Sequence, residues 1–142
     1  GAAVIVDVLA ERGVAVGGSV IVDGSGLSAD DRVTCGLLVS VLLTGSELLA
    51  PRLAVAGETG TLARRFAGTA AAGRVRAKTG SVHGVAAIAG YVEPLAGRTL
   101  TFAYVVNGLP DDSPLGASLQ ELVVLTLVEA APDARPGTSP EG

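Results

Sequence analysis

Apolar positions recur with two different periods along this chain, and the change falls near its middle. In the first dozen residues Val4, Ile5, Val8 and Leu9 repeat at helical spacing, with Glu11 and Arg12 polar and Gly13 suited to a left-handed cap. A helix with nothing before its first turn predicts a piece of a longer chain. A Gly-rich stretch with a short β-like run, "VGGSVIVDGSGLS", follows. Ser28 and Asp31 then form a capping-box pattern for a helix over about Asp30 to Thr44. Its centre, "GLLVSVLL", is apolar all round, which predicts burial on every side. "APRLAVAGETG" reads as connector and "TLARRFAG" as a short helix.

The period then shortens. Three β-like runs cover Gly73 to Thr79, Val85 to Glu93 and Arg98 to Asn107, with a hairpin-like reversal at "PLAG" between the last two. Ser113 and Pro114 offer an N-cap and a proline at the first helical position, opening a final helix to about Ala131. Residues 132–142 are polar and Pro-rich, and predict a disordered tail beyond a unit covering 1–131. Helices followed by a meander predict an α+β fold with an antiparallel sheet flanked by helices.

Composition narrows the function. Charged residues make up 17% and hydrophobic ones 49%, an apolar balance for one domain of 142 residues. The net charge of −4 argues against a nucleic-acid partner, which calls for a basic face. No apolar run approaches the roughly 18 residues needed to cross a bilayer. The single cysteine, Cys35, can form no internal disulfide and reads as a small buried residue. One His and one Cys far apart offer no metal-ligand cluster, so no metal is expected.

Against nine arginines the chain has one lysine, Lys78, in "GRVRAKTGSVHG", which also holds the one histidine, His83. A P-loop reading fails, because Ala77 stands where the second glycine belongs and a β-like run follows instead of a helix. A triad of Asp23, Ser25 and His83 is disfavoured: "DGSGLS" lacks the nucleophile-elbow spacing and is more simply a turn. What remains is Lys-Thr-Gly on a strand bordering a cleft. Alternation puts Arg74, Arg76 and Lys78 on one face and Val75, Ala77 and Thr79 on the other. Lys78 would supply a cation and Thr79 a hydroxyl for a carboxylate. Gly80 would let an extended substrate approach the backbone, and Ser81 would add a hydroxyl and a backbone N–H for an oxyanion. The same residues also read as a strand end with a solvated lysine and a turn. The triplet by itself leaves both readings standing.

Three blocks in order, "VDGSGLS", "LAVAGETGTL" and "RVRAKTGSVHGVAAIAGYV", resemble the C-terminal part of the class C penicillin-binding D-alanyl-D-alanine carboxypeptidases/endopeptidases, peptidase family S13. The likeness covers about Gly1 to Leu127. It implies a penicilloyl-serine-transferase fold with a five-stranded antiparallel sheet between helices. It also implies a site built from Ser-x-x-Lys, Ser-x-Asn and Lys-Thr-Gly. Only the third occurs here, since position 75 is Val and the one asparagine, Asn107, follows Val105.

The resemblance therefore implies serine acyl transfer on peptidoglycan stem peptides, with this chain supplying the Lys-Thr-Gly wall. Lys78, Thr79 and Gly80 would be catalytic, and Thr79, Ser81 and His83 would bind substrate. An N-terminal portion of the same protein would carry the nucleophile. β-Lactam antibiotics would acylate that serine, no cofactor would be needed, and the location would be extracytoplasmic. Many relatives carry a basic residue after "DGSGLS" where this chain has Ala29, which leaves open how a stem-peptide carboxylate is held. A β-lactamase-like hydrolase of the same superfamily and a non-catalytic cell-wall-binding module are the alternative readings.

Overall fold

Four antiparallel strands in the order β1-β2-β3-β4 form the centre of the structure, a computed structural model describing residues 1–111 and 113–130. They are β1 (Ala54–Val55), β2 (Val75–Val82), β3 (Val85–Val92) and β4 (Leu100–Val106). Side-chain alternation sorts β2 as its sequence suggests: Val75 and Ala77 are buried, while Arg76 and Lys78 are exposed. β3 is covered on both faces, which matches its near-continuous apolar sequence "VAAIAGYV". Gly90 in β3 is required by packing, because a Cβ there would collide with the Arg76 carbonyl oxygen of the neighbouring strand.

One face of the sheet is closed by α4 (Leu115–Glu129), whose buried residues Gly116, Gln120, Val124 and Val128 recur every fourth position. Val124 and Val128 are fully buried among Val75, Ile88, Val92 and Phe102. Burying each valine stabilises the fold by about 1.5–3 kcal/mol. Gly116 lets the helix approach closely, since a Cβ would lie 2.7 Å from that of Ala86. The other face carries α2 (Cys35–Thr44), tied to β3 where the Tyr91 hydroxyl donates to the Leu42 carbonyl at 2.5 Å. Burial pushes the Tyr91 phenol up from its ordinary range. A short helix α3 (Ser46–Leu49) follows α2, and α1 (Ala2–Glu11) opens the chain with no buried residue. Among the described residues no single helix is long and apolar enough to cross a membrane.

The α+β expectation is borne out, with several local corrections. The helix expected from about Asp30 starts at Cys35, capped by Thr34, whose hydroxyl accepts from the Leu37 N–H at 3.0 Å. Asp31 is not a helix residue because its carboxylate accepts instead from the Val22 and Asp23 amides, and Val20 bridges to Arg32. "GLLVSVLL" is only partly buried: Leu37 and Leu42 are covered, but Leu43 is 59% exposed. Cys35 is exposed rather than buried, lying in the first turn of α2.

A further correction concerns "TLARRFAG", which forms a 3-10 turn over Gly60–Leu62 and further turns in place of a helix. Another concerns the strands. The run expected to end at Thr79 continues to Val82, so Lys78 to Ser81 lie inside β2. It ends because His83 (φ 45°) and Gly84 (φ 73°) form a two-residue turn between Val82 and Val85. Positive φ at both central residues is the type I′ arrangement that suits the twist of a hairpin. The final helix starts at Leu115, one residue later than expected, with the Ser113 hydroxyl accepting from its N–H at 3.2 Å. The tail expected over 132–142 lies outside the described residues.

Candidate functional site

The segment Lys78-Thr79-Gly80-Ser81 lies on an edge of the sheet that β1 covers only in part. β1 pairs Ala54 with Ala77 and Val55 with Arg76, and among the described residues no strand continues beside Lys78 and beyond. The Ala56 N–H donates to the Val75 carbonyl at 2.9 Å, which fixes the side to which Val75 turns its peptide groups. By alternation Thr79 and Ser81 turn theirs to the same side, where no partner strand takes them. The Thr79 carbonyl is met instead by the Lys78 ammonium, which donates to it at 2.6 Å.

Gly80 contrasts with Gly90. A Cβ at Gly80 would meet only the Cβ of Ala87, at an ordinary 3.7 Å, and its φ is not in the left-handed region. The fold itself therefore does not demand glycine there. Lys78 and Gly80 face one side of the sheet; Thr79 and Ser81 face the other, with α4.

On that second side lies a cavity of about 600 Å³ between the β2–β3 hairpin, the start of α4 and the connection around Leu109. Thr79, Gly80, Ser81 and His83 all line it, together with Arg65 and Gln120. Its floor is built by a clamp that the sequence reading did not include. Gln120, 3% exposed, donates through its amide to the Ala87 carbonyl at 2.9 Å and accepts from the Arg65 guanidinium at 2.7 Å. Arg65 also donates to Glu121 at 3.2 Å and to the Ala117 carbonyl at 3.0 Å. Three bonds from one planar guanidinium hold the 57–66 segment against α4.

That segment brings a further hydroxyl beside Thr79. Thr61, in the Gly60–Leu62 turn, places its Oγ1 3.2 Å from the Thr79 Oγ1. The only signal for it in the sequence was its place in the block "LAVAGETGTL".

The structure brings Thr79, Gly80, Ser81 and His83 together around one cavity, while Lys78 projects from the opposite face of the same strand. His83 also serves the hairpin turn through its positive φ. The "VDGSGLS" block forms a turn, as expected: Asp23 accepts from the Ser25 and Gly26 amides at 2.9 and 2.8 Å. The Gly26 bond is the leading cause holding the Asp23 carboxyl below its ordinary value. Neither Asp23 nor Ala29 lines the cavity. Among the described residues no group of His, Cys, Asp and Glu is placed to hold a metal ion.

Comparison with known proteins gives this geometry a context. Residues 1–127 match the D-Ala-D-Ala carboxypeptidase 3 (S13) family. The chain is 41% identical over 135 residues to a D-alanyl-D-alanine carboxypeptidase of Actinomadura sp., covering 88% of this chain and 24% of the relative. It is 42% identical over 106 residues to Carboxypeptidase DacB of Mycolicibacterium smegmatis, covering 67% of this chain and 23% of that protein. It thus spans about a quarter of the length of these relatives.

Among solved structures, penicillin-binding protein 4 of Haemophilus influenzae superimposes with a TM-score of 0.75 at 26% identity, over 87% of this chain and 30% of that one. A predatory endopeptidase from Bdellovibrio bacteriovorus, solved with an immunity protein, superimposes with a TM-score of 0.76 over 90% and 37%. Its 23% identity speaks for the fold alone. The penicillin-binding fold expected from the resemblance is borne out, with four strands among the described residues where the resemblance implied five.

Proposed function

The chain belongs to the D-Ala-D-Ala carboxypeptidase 3 (S13) family, and we propose that it forms the Lys-Thr-Gly wall of a serine acyl-transfer site acting on peptidoglycan stem peptides. The observation that carries the proposal is Lys78-Thr79-Gly80-Ser81 on an open strand edge beside a cavity of about 600 Å³. A peptide ending in D-Ala-D-Ala lies along that edge in extended form, pairing with the peptide groups of Thr79 and Ser81. Gly80, which the fold does not require, leaves its backbone open to that approach. Thr79 and Ser81 hold the terminal carboxylate, and His83 borders the pocket.

The nucleophile comes from an N-terminal portion carrying Ser-x-x-Lys and Ser-x-Asn, motifs this chain lacks. Its serine oxygen attacks the scissile carbonyl carbon, and the Ser81 N–H is one donor to the oxyanion that forms. The C–N bond breaks, the leaving amine takes the proton, and water hydrolyses the acyl-enzyme. Lys78 faces the nucleophile's side, stabilises charge and assists the proton relay through the Ser-x-Asn serine. A β-lactam acylates the same serine. The site is extracytoplasmic because its substrate is.

Two features support the need for that portion. Val4, Ile5 and Val8 of α1 are 59%, 36% and 41% exposed, although the helix is strongly apolar. β4 is also an uncovered sheet edge among the described residues. On this reading residues 1–131 are the C-terminal segment of one catalytic domain. Labelling the full-length protein with a fluorescent penicillin tests the proposal. One covalent label on a serine outside this chain, slowed by substitution of Lys78, supports it; a protein that takes no label refutes it. Slow release of the adduct, as against rapid turnover, separates a carboxypeptidase from a β-lactamase-like hydrolase.

A further inference from the structure

We infer that Thr61 is a positioning residue for Thr79, fixing the direction in which the Thr79 hydroxyl presents its proton to a substrate carboxylate. The inference rests on the reading of Thr79 given above.

The two hydroxyl oxygens are 3.2 Å apart, and Thr79 is the only hydrogen-bond partner of the Thr61 side chain among the described residues. A hydroxyl has one proton and can accept further bonds, whereas an ionised carboxylate only accepts. When a carboxylate reaches Thr79, that residue must give its proton to it. Thr61 then donates to the Thr79 oxygen, forming a chain from Thr61 through Thr79 to the carboxylate. Bonds in such a chain reinforce one another.

The backbone under Thr61 is held firmly. β1 ends at Val55, and the Gly60–Leu62 turn stands beside β2 near Thr79. Leu62 is fully buried, and the Gly57 N–H lies 3.0 Å from the Leu62 carbonyl and 2.9 Å from that of Arg65. The Thr59 hydroxyl accepts from the Val55 N–H at 2.9 Å. Gly60 takes φ 55° with Ala54 so close that a Cβ would lie 3.0 Å from it. Arg65, clamped to α4, closes the segment. None of these contacts uses the Thr61 side chain, which is exposed. Its hydroxyl has no structural duty, only a neighbour.

The test uses the full-length protein with Thr61→Val, Thr61→Ser, Thr79→Val and the Thr61→Val/Thr79→Val double variant. Acylation rates are measured with a penicillin bearing its free carboxylate and with the carboxamide analogue. A neutral hydrogen bond of about 0.5–1.5 kcal/mol corresponds to a loss of roughly 2- to 13-fold. That loss is expected for Thr61→Val on the carboxylate substrate only, with recovery in Thr61→Ser and no further loss when Thr61→Val is added to Thr79→Val. Equal losses on both substrates, or a loss that persists in the Thr79→Val background, would overturn the inference. Should Thr79→Val discriminate between the substrates while Thr61→Val does not, only the role of Thr61 falls. Should Thr79→Val itself fail to discriminate, the carboxylate-binding role of Thr79 falls, and this inference falls with it.

Discussion

Replacing Gly80 by alanine separates what the fold needs from what the substrate needs. The added methyl would sit 3.7 Å from the Ala87 Cβ, with no other neighbour within 4 Å, so it meets no obstacle inside the chain. Glycine inside a strand costs about 0.5–1 kcal/mol relative to alanine through backbone entropy. Gly80→Ala should therefore leave stability unchanged or raise it by up to about that amount. The methyl projects to the Lys78 face, into the space that the nucleophile and the extended substrate share in the proposed site. A loss of tenfold or more in acylation is expected, about 1.4 kcal/mol or more in the barrier.

Gly90→Ala is the control, since its methyl would collide with the Arg76 carbonyl oxygen and must push β2 and β3 apart. It should destabilise the protein by about 1–3 kcal/mol, as overpacking does. Thermal unfolding and penicillin acylation of both variants in the full-length protein provide the readout. The reasoning is refuted if Gly80→Ala acylates at the parental rate, or if it loses stability as Gly90→Ala does.

Lys78→Ala should lower penicillin acylation about 100- to 1000-fold, the usual effect of losing one electrostatic donor, with little change in melting temperature. Thr79→Val should weaken substrates with a free carboxylate by about 1.5–3 kcal/mol relative to amidated analogues, measured as a ratio of kcat/KM values. Gln120→Leu should destabilise the fold by about 1–3 kcal/mol, because it strips a partner from both Arg65 and the Ala87 carbonyl, and denaturant unfolding would register it. His83→Asn should fold and melt like the parent, since Asn-Gly suits the same turn; a large drop in melting temperature would contradict the turn assignment.

Much of the sheet was legible because its pattern is local. Strand alternation put Val75 and Ala77 on one face and Arg76 and Lys78 on the other, the first pair buried and the second exposed in the structure. The run Arg98 to Asn107 contains β4. Residues used over long sequence distances were not legible. Asp31 looked like a helix-capping residue, but the Val22 amide, nine positions back, claims its carboxylate. Gly80 and Ser81, weak strand formers, hid the continuation of β2 to Val82. The meeting of Thr61 with Thr79 joins positions 18 apart, and Gln120 meets Arg65 across 55. No periodicity records either pair. Lys78 stood out by its rarity, and the surrounding blocks gave it meaning through their resemblance to a family.

The most direct test of the central claim is a crystal structure of the full-length protein acylated by penicillin. The account predicts the penicillin carboxylate within about 2.5–3.0 Å of the Thr79 Oγ1, a usual hydroxyl hydrogen-bond distance. It also predicts the acyl carbonyl oxygen within about 2.7–3.2 Å of the Ser81 nitrogen. An adduct whose carboxylate and carbonyl oxygen both lie away from the Lys78-Thr79-Gly80-Ser81 edge would contradict it.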